Sequence, residues 1–317
     1  MATIVEPKIA EFLSFLRDGN KSENTIEAYQ RGLNYFHGFL RTINLGGVPV
    51  SWRRVNQVVI KDFLIYLDTR RPKGKPISPS TKSQRFSAVR AFFQFLVTKG
   101  HVQSNPTEGI ALPRVTNNPP KLLDEQQIED LLEQPAKLNT PQALRDQAMM
   151  KLLYATGLRN TELVSLNLKD ILSDKRGSRI RCIGKDNKER TLPIEGMALN
   201  TLVSYIETVR PKLVRRNKSK TALFINHRGE RITRQGFWLI LKNHAKDAKI
   251  DSLVTPDILR HCFAVHQINQ GVPVEEVKDL MGHTTISTTL DYLDLADASM
   301  REVYNAAHPR SVKARVS

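Results

Sequence analysis

Four prolines between residues 106 and 120 place the strongest constraint on how this chain can fold. The segment NPTEGIALPRVTNNPPKLLDEQQ contains Pro106, Pro113, Pro119 and Pro120. Proline cannot continue a helix, and it moves the preceding residue toward extended conformations. We therefore predict a linker at 113–120 between a first domain at 1–112 and a second at 121–317. A length of 317 residues agrees, because one hydrophobic core rarely extends over so many residues.

The first domain has the apolar spacing of amphipathic helices. In SENTIEAYQRGLNYFHGFL, apolar side chains recur at steps of three and four, at Ile26, Tyr29, Leu33, Phe36 and Leu40. This spacing forms one buried stripe on a helix. Four helices are predicted here, the third near 56–69 and the fourth near 79–99.

The fourth helix combines an apolar face with several cations. The side chains predicted to face the core are Val89, Phe92, Phe93 and Leu96. The cations that stay available on its other faces are Lys82, Arg85, Arg90 and Lys99. These cations either contact the phosphates of a nucleic acid or are simply solvated.

The second domain is predicted to be mostly helical with one small sheet. Helical spacing occurs near 124–134, 141–156, 160–167, 195–209, 233–247, 256–270 and 273–281. The segment RIRCIGKDNKERTLPI alternates in character on either side of Lys185, Asp186 and Asn187, which predicts two antiparallel strands joined by a tight turn. The fold class is therefore mainly α with a small antiparallel β-sheet.

The charge of the chain predicts a polyanionic partner. There are 48 Lys and Arg residues against 32 Asp and Glu, a net charge of +16 with a pI near 9.9. The segment VRPKLVRRNKSK at 209–220 contains six cations and no acid, which is compatible with contact to a phosphate backbone or with a solvated loop. A generally basic protein without such a partner is the alternative.

Several other classes are not indicated by the sequence. The N-terminus MATIVEPKIAEF has neither a basic nor an apolar signal region, and no run of 18 apolar residues could span a membrane. The two cysteines, Cys182 and Cys262, lack the spacing of a zinc site. We therefore expect a cytoplasmic protein with no disulfide, no metal and no cofactor.

Three sequence features contain groups that could do chemistry. In YATGLRNTEL, Arg159 and Glu162 form either an ordinary helix ion pair or an arginine held in place to bind an oxyanion. Lys185 and Lys188 are either exposed turn residues or a mobile proton donor. The third feature is TPDILRHCFAVHQINQG followed by LMGHTTISTTLDY.

In this third feature, Arg260 and His261 lie in a helix that can begin at Thr255, with Pro256 in its first turn. His261 and His266 are interpreted as ordinary helix residues. Tyr292 either fills space or reacts, and no carboxylate cluster for Mg²⁺ accompanies it.

These groups fit the cleavage of a phosphodiester without a metal. That reaction needs cationic donors at the non-bridging oxygens, an internal nucleophile and an acid for the departing oxygen. Arg159 and Arg260 could supply the donors, Tyr292 the nucleophile and a lysine the acid. A phosphotyrosine bond conserves the energy of the broken bond, so rejoining would need no ATP.

With these residues identified, the chain resembles the tyrosine recombinases, and most closely their Xer group of chromosome-dimer resolvases. The similarity extends over the whole chain through ENTIEAYQRGL, SAVRAFFQFL, LRDQAMMKLLYATGLRNTEL, GKDNKERTLPI, TRQGFW, LRHCFAVH, LMGHTTISTTLDY and the HPR at 308–310. Each motif is weak alone, but their order and spacing are specific. The resemblance implies a helical, SAM-like, DNA-clamping N-terminal domain and a C-terminal catalytic domain that together encircle duplex DNA.

The resemblance also implies roles for individual residues. Arg159 and Arg260 match the two catalytic arginines, with Glu162 supporting the first; His283 matches the histidine of the leucine-glycine-histidine box, and Tyr292 the nucleophile. Lys185 matches the hairpin lysine, with Lys188 as its alternative. The DNA-binding candidates are Lys82, Arg85, Arg90 and Arg234. The segment beyond Tyr292 resembles one that packs on a neighbouring protomer of a tetramer.

Asp257 departs from the family pattern, which usually has histidine three residues before the second arginine. Histidine can donate to a phosphate, whereas an ionised aspartate only accepts and repels it. Asp257 orients Arg260 or Lys185, or donates as a protonated acid in a desolvated site, or lowers activity. His261 does not obviously compensate, since the family commonly has histidine there too.

The expected partner is a double-stranded recombination site bound by a homo-tetramer, or by a hetero-tetramer with a second recombinase, with a DNA translocase as a possible activator. The role is chromosome-dimer resolution or integration and resolution of a mobile element. The alternatives are a type IB topoisomerase, which relaxes DNA without paired sites, and a DNA-binding regulator that has lost catalysis.

Overall fold

The structure is a computed structural model that describes residues 6–43, 51–112, 121–138, 140–175, 177–184, 187–214, 220–250 and 253–296. Contacts within the chain separate two compact units, Met1–Asn118 and Pro119–Ser317. The predicted linker at 113–120 lies outside the described residues, so it stays a prediction, as do the domain bounds 1–112 and 121–317. No helix in the described ranges is long and apolar enough to cross a membrane.

The N-terminal unit contains four helices, which are α1 (Pro7–Asp18), α2 (Glu23–Thr42), α3 (Gln57–Thr69) and α4 (Pro79–Thr98). Polar side chains cap all four by accepting a backbone N–H of the first turn, namely Glu6, Ser22, Asn56 and Ser78. The core is rich in aromatic rings and includes Phe12, Phe36, Phe63, Phe92 and Phe93. All four apolar side chains that the sequence assigns to the core side of α4 are buried.

The C-terminal unit is mostly helical. Its helices are α5 (Glu125–Glu133), α6 (Pro141–Thr156), α7 (Asn160–Ser165), α8 (Gly196–Ser204), α9 (Arg210–Leu213), α10 (Arg234–Asp247), α11 (Pro256–Asn269), α12 (Val274–Met281) and α13 (Ser287–Leu290). The helix predicted near 195–209 is α8 followed by a turn of π-helix at Tyr205–Val209. The core of the unit lies around the buried helix α6.

A three-stranded antiparallel sheet follows α7. Its strands β1 (Ile171–Asp174), β2 (Gly177–Ile183) and β3 (Glu189–Pro193) are arranged in that order. The predicted hairpin is β2–β3, in which Ile183 pairs with Glu189. Asn187 has a φ of 60°, a left-handed conformation that asparagine tolerates in tight turns. Strand β1 was not predicted, because four residues are too few to show an alternating pattern.

Candidate active site

The loop between α6 and α7 positions Arg159. Gly157 caps the C-terminus of α6 with a φ of 60°, and a Cβ at this position would lie 2.4 Å from a ring carbon of Phe263. Only glycine satisfies both constraints. Arg159 is the residue that precedes the first turn of α7, and it forms the ion pair with Glu162 that its spacing predicts. Its backbone N–H donates to Glu162 Oε2 at 2.7 Å, and its guanidinium donates to Glu162 Oε1 at 2.9 Å and to the Gly282 carbonyl at 2.7 Å.

Arg190 completes this network and was missed by the sequence analysis. It donates to both oxygens of Glu162 at 2.8 Å, and its Nε donates to the Leu280 carbonyl at 2.9 Å. Burial acts to raise the pKa of Glu162, but hydrogen bonds from Arg190 and Arg159 outweigh it and hold that pKa below its usual value. The available signal was a cation on the inward face of β3, two residues before the buried Leu192.

Helix α11 positions Arg260. As predicted, Thr255 caps this helix and Pro256 follows in its first turn. Arg260 is buried and donates to the carbonyls of Gly157 and Met281. Burial, with a further effect of the nearby Arg159, lowers the pKa of Arg260 to about 10. The guanidinium therefore stays charged at neutral pH.

The hydrogen bonds of His283 define its protonation state. Arg260 approaches His283 Nε2 at 3.3 Å, and because an arginine only donates, Nε2 must be the acceptor. Nδ1 then carries the proton and donates to Thr289 Oγ1 at 2.8 Å. Burial, followed by the charges of Arg260 and Arg159, lowers the pKa of His283 to about 4. His283 is therefore neutral at physiological pH.

Tyr292 lies two residues after the end of α13 and is 5% exposed. Its hydroxyl is 2.8 Å from His261 Nδ1, and its ring stacks on His283 with centroids 6.0 Å apart. Burial raises the pKa of Tyr292, while Arg260 acts in the opposite direction. His261 was interpreted as an ordinary helix residue, which did not anticipate this contact. His266 instead contacts the hydroxyl of Tyr154.

Several of the predicted residues border one open cavity of about 810 Å³. Its lining includes the cations Arg159, Arg234 and Arg260, together with Asp257, His261, His283 and Tyr292. Trp238 also lines this cavity and was not singled out by the sequence analysis. Among the described residues no group of three or more His, Cys, Asp or Glu side chains is arranged to hold a metal. The cavity thus combines three cations with a tyrosine hydroxyl, which are groups that cleavage of a phosphodiester requires.

Comparison with known proteins identifies the family. Residues 121–299 match the Phage integrase family, and residues 9–100 match the family described as Phage integrase, N-terminal SAM-like domain. Tyrosine recombinase XerC from Roseiflexus castenholzii (strain DSM 13941 / HLO8) is 44% identical over 304 residues, which are 95% of this chain and 92% of that protein. The chain belongs to the tyrosine recombinases. Tyrosine recombinase XerD from Listeria monocytogenes serovar 1/2a (strain ATCC BAA-679 / EGD-e) is 38% identical over 304 residues, 96% and 99% of the two chains.

Solved structures of recombinases have the same fold. The XerH site-specific recombinase bound to palindromic difH substrate aligns with a TM-score of 0.69 and 18% identity over 94% of each chain. The Tn1549 transposon integrase in complex with circular intermediate DNA aligns with a TM-score of 0.68 and 20% identity. The alignment covers 94% of this chain and 98% of the integrase chain. The predicted family, the mainly α fold with a SAM-like N-terminal domain, and the site-specific tyrosine recombinase activity are confirmed.

Asp257, the departure from the tyrosine recombinase pattern, has an exposed side chain on the first turn of α11. It forms no hydrogen bond or ion pair with any described residue, Arg260 included. The interpretation that Asp257 orients Arg260 therefore has no contact to support it. The interpretation that it donates as a protonated acid requires desolvation, which an exposed carboxyl in this structure does not experience.

The hairpin lysine of the recombinase pattern, Lys185, lies outside the described residues. Gly184, which precedes it, adjoins the arginine network: a Cβ at this position would be 3.4 Å from Glu162 Oε1 and 3.3 Å from Arg190 Nη1. Lys188, the alternative, is exposed, and its carbonyl accepts from the Gly184 N–H at 2.8 Å. The assignment of either lysine as the acid stays a prediction.

Two of the DNA-binding candidates in α4 have partners within the N-terminal unit. Lys82 forms an ion pair with Asp68, and Arg90 donates to the Ile110 carbonyl. Lys99 is exposed. The expectation that all these cations stay available for phosphates is therefore corrected, because some of their donors are already used.

Arg85 stacks its guanidinium 3.6 Å from the ring centroid of Tyr35. Its Nη1 is buried with no hydrogen-bond partner in the described part of the chain. Arg85 thus contributes to packing between α2 and α4, and phosphate contact stays a prediction for the rest of its donors.

The basic segment at 209–220 does not expose all of its cations. Arg210 is buried and donates to the carbonyls of Lys220, Ala222 and Leu223, so its Nε and Nη2 donors are already used within the protein. Residues 215–219 lie outside the described residues, as do the 297–317 segment and its HPR motif. Arg234 is exposed at the N-terminus of α10 and borders the cavity.

Proposed function

We propose that this recombinase cleaves DNA by attack of Tyr292 Oη on a phosphodiester of its recombination site. A bond forms between Oη and phosphorus, the bond from phosphorus to the 5′ oxygen breaks, and a 3′-phosphotyrosine results. A 5′-hydroxyl from a second duplex then reverses the step and joins new strands. The observation that carries the proposal is the convergence of Arg159, Arg260, His283 and Tyr292 on one cavity.

The arginines are proposed to neutralise the non-bridging oxygens in the transition state. Arg159 is held by Glu162, which is itself held by Arg190, so its guanidinium is oriented before DNA arrives. Arg260 keeps its charge within a buried position. Positioned donors of this kind cost no reorganisation at the moment of reaction.

His283 is proposed to assist at the phosphate, and Lys185, with Lys188 as the alternative, to protonate the departing 5′ oxygen. In the structure His283 Nε2 accepts from Arg260, so His283 does not donate through this nitrogen. His283 would therefore assist by holding the Arg260 guanidinium at the phosphate. Arg159 and Arg260 supply the positive charge at the phosphate.

The assembly is proposed to be a tetramer on two duplex sites in the cytoplasm, made of one chain or of this chain and a second recombinase. Two observations support this. The chain is similar both to XerC and to XerD proteins, and the similar XerH recombinase is bound to palindromic difH substrate. Chromosome-dimer resolution with a DNA translocase as activator is the role that fits these relatives, and processing of a mobile element is the other.

A plasmid assay tests this function. The site is first selected from genomic fragments and placed in two copies on one plasmid, while a second plasmid carries none. We expect wild type to recombine the two-site plasmid and to leave the site-free plasmid supercoiled, and we expect Tyr292→Phe to leave both plasmids unchanged. Relaxation of the site-free plasmid would show a topoisomerase, and tight binding without cleavage would show a regulator.

A further inference from the structure

The proton of the attacking Tyr292 hydroxyl needs an acceptor. Both nitrogens of His283 are already engaged, Nε2 with Arg260 and Nδ1 with Thr289. Among the described residues, the side chain that hydrogen-bonds to Tyr292 Oη is His261, through Nδ1 at 2.8 Å. The distance is within the range that direct proton transfer requires.

The surroundings of His261 suit a proton acceptor. Burial holds the pKa of His261 below its usual value, while Asp257 acts to raise it and Arg260 to lower it. A neutral imidazole has a proton on one ring nitrogen and a lone pair on the other. When Nε2 of His261 carries the proton, Nδ1 has the lone pair and accepts the hydrogen bond from the Tyr292 hydroxyl. His261 Nε2 has no hydrogen-bond partner in the described ranges, so nothing there opposes this tautomer.

Asp257 lies one helical turn before His261, at the i to i+4 spacing at which side chains are neighbours on one helix face. Both residues line the cavity that contains the Tyr292 hydroxyl. A carboxylate cannot donate to the phosphate, but it stabilises a positive charge that forms on a nearby imidazole. This gives a physical reason for aspartate at a position where the family usually has histidine.

We propose that His261 is the catalytic base that accepts the Tyr292 proton, and that Asp257 is a positioning residue that stabilises the resulting imidazolium. This inference rests on the proposed function, in which Tyr292 is the nucleophile. The proton passes from Oη to His261 Nδ1 as the bond from Oη to phosphorus forms. The bond to the 5′ oxygen breaks, and that oxygen takes a proton from the hairpin lysine. In the rejoining step the imidazolium returns its proton to Tyr292.

Single-turnover cleavage of a nicked suicide substrate tests the role of His261. His261→Gln retains a polar side chain of similar size but cannot take up the proton. We expect it to cleave at least about 100-fold more slowly than wild type, the typical contribution of a general base. His261→Ala should be equally slow and should regain activity with added imidazole, which no structural role would produce.

A substrate with sulfur in place of the bridging 5′ oxygen distinguishes loss of the catalytic base from loss of the catalytic acid. A thiolate leaves without being protonated, so the sulfur substrate should rescue Lys185→Ala and leave His261→Gln slow. Rescue of His261→Gln by sulfur would overturn the assignment, as would a folded His261→Gln variant that cleaves both substrates at the wild-type rate. If His261→Gln does not fold, failure of imidazole to accelerate His261→Ala overturns it instead.

The same cleavage assays distinguish failure of this inference from failure of the proposed function. Wild type that forms no covalent complex, or Tyr292→Phe that still forms one, would contradict the assignment of the nucleophile itself. A wild-type covalent complex together with unimpaired His261 variants would contradict only the base. For Asp257→Asn we expect cleavage to slow by roughly 10-fold without rescue by imidazole, and an unchanged rate would remove Asp257 from the proposal.

Discussion

Individual residues in this site act through the hydrogen bonds that fix their protonation. Thr289 is fully buried and accepts the Nδ1 proton of His283, which leaves Nε2 free to accept from Arg260. In Thr289→Val the shape is retained but this acceptor is lost, which leaves a buried donor unsatisfied at a cost of about 1 to 3 kcal/mol. We expect a lower melting temperature and cleavage slowed about 10-fold or more, measured by calorimetry and single-turnover kinetics. Wild-type values for both quantities would show that Thr289 does not hold this tautomer.

Restoring the usual family residue at position 257 tests whether the aspartate is functional. Because Asp257 is exposed and supports His261 in our account, Asp257→His should fold normally and cleave within about 10-fold of wild type. A gain of about 100-fold, the contribution typical of one oxyanion donor, would show that the aspartate is a defect. The measurement is the rate of covalent complex formation on the suicide substrate.

The sequence predicted the identity of the active-site residues better than it predicted their contacts. Arg159, Arg260, His283 and Tyr292 were identified by the order and spacing of motifs, and the structure places all four at one cavity. The contact of His261 with Tyr292 was not predicted, because 31 residues separate the two and neither residue alone indicates the other. The network of Arg190 with Glu162 was missed for the same reason.

Strand β3 and helix α7 are connected by the ion pair between Arg190 and Glu162. Both side chains are largely buried, with 14% and 3% exposed. Removing Arg190 takes two charge-assisted hydrogen bonds from the buried Glu162, which keeps those from Arg159, so Arg190→Met should lower the free energy of unfolding by about 3 kcal/mol at pH 7. The matched control is Arg179→Met in β2, whose partner Asp174 is half exposed, where we expect a change below about 1 kcal/mol. Equal effects of the two variants in urea unfolding would contradict the argument.

The same pair predicts a dependence of stability on pH. The pKa of Glu162 lies below its ordinary value of 4.5 in the folded chain. The unfolded state therefore binds more protons at acidic pH, and the stabilisation is complete above about pH 4.5 and is lost as the pH falls through the folded pKa. The difference between wild type and Arg190→Met should narrow over this acidic range. A difference that stays constant down to the acid limit would exclude Glu162 as its source.

Elements with strong periodicity were predicted well from the sequence. The helices that bury an apolar stripe, such as α2 and α4, occur within a few residues of their predicted bounds because the spacing of three and four is a local property. Short elements were not predicted, because β1 and α13 are each four residues long and are defined by pairing and packing rather than by pattern. Thus α13, which precedes Tyr292, could only be found in the structure.

For the whole molecule, a charge of +16 implies that DNA affinity falls with salt. Each phosphate contact contributes about −0.9 to the slope of log K against log salt concentration. Arg234 is exposed beside the cavity, so Arg234→Gln should reduce the magnitude of this slope by about one on duplexes of any sequence. Fluorescence anisotropy at several salt concentrations measures it. An unchanged slope would show that Arg234 does not contact a phosphate.

In the proposed mechanism, the 3′ end of the cleaved DNA strand becomes attached to Tyr292. Trypsin cleaves after Lys278 and Arg301, and the peptide between them contains Tyr292 as its only tyrosine. Mass spectrometry of the digested covalent complex, after nuclease treatment, should find this peptide carrying a nucleotide 3′-phosphate on Tyr292, and Tyr292→Phe should yield no such adduct. An adduct on any other residue, or a covalent complex that persists in Tyr292→Phe, would contradict the account.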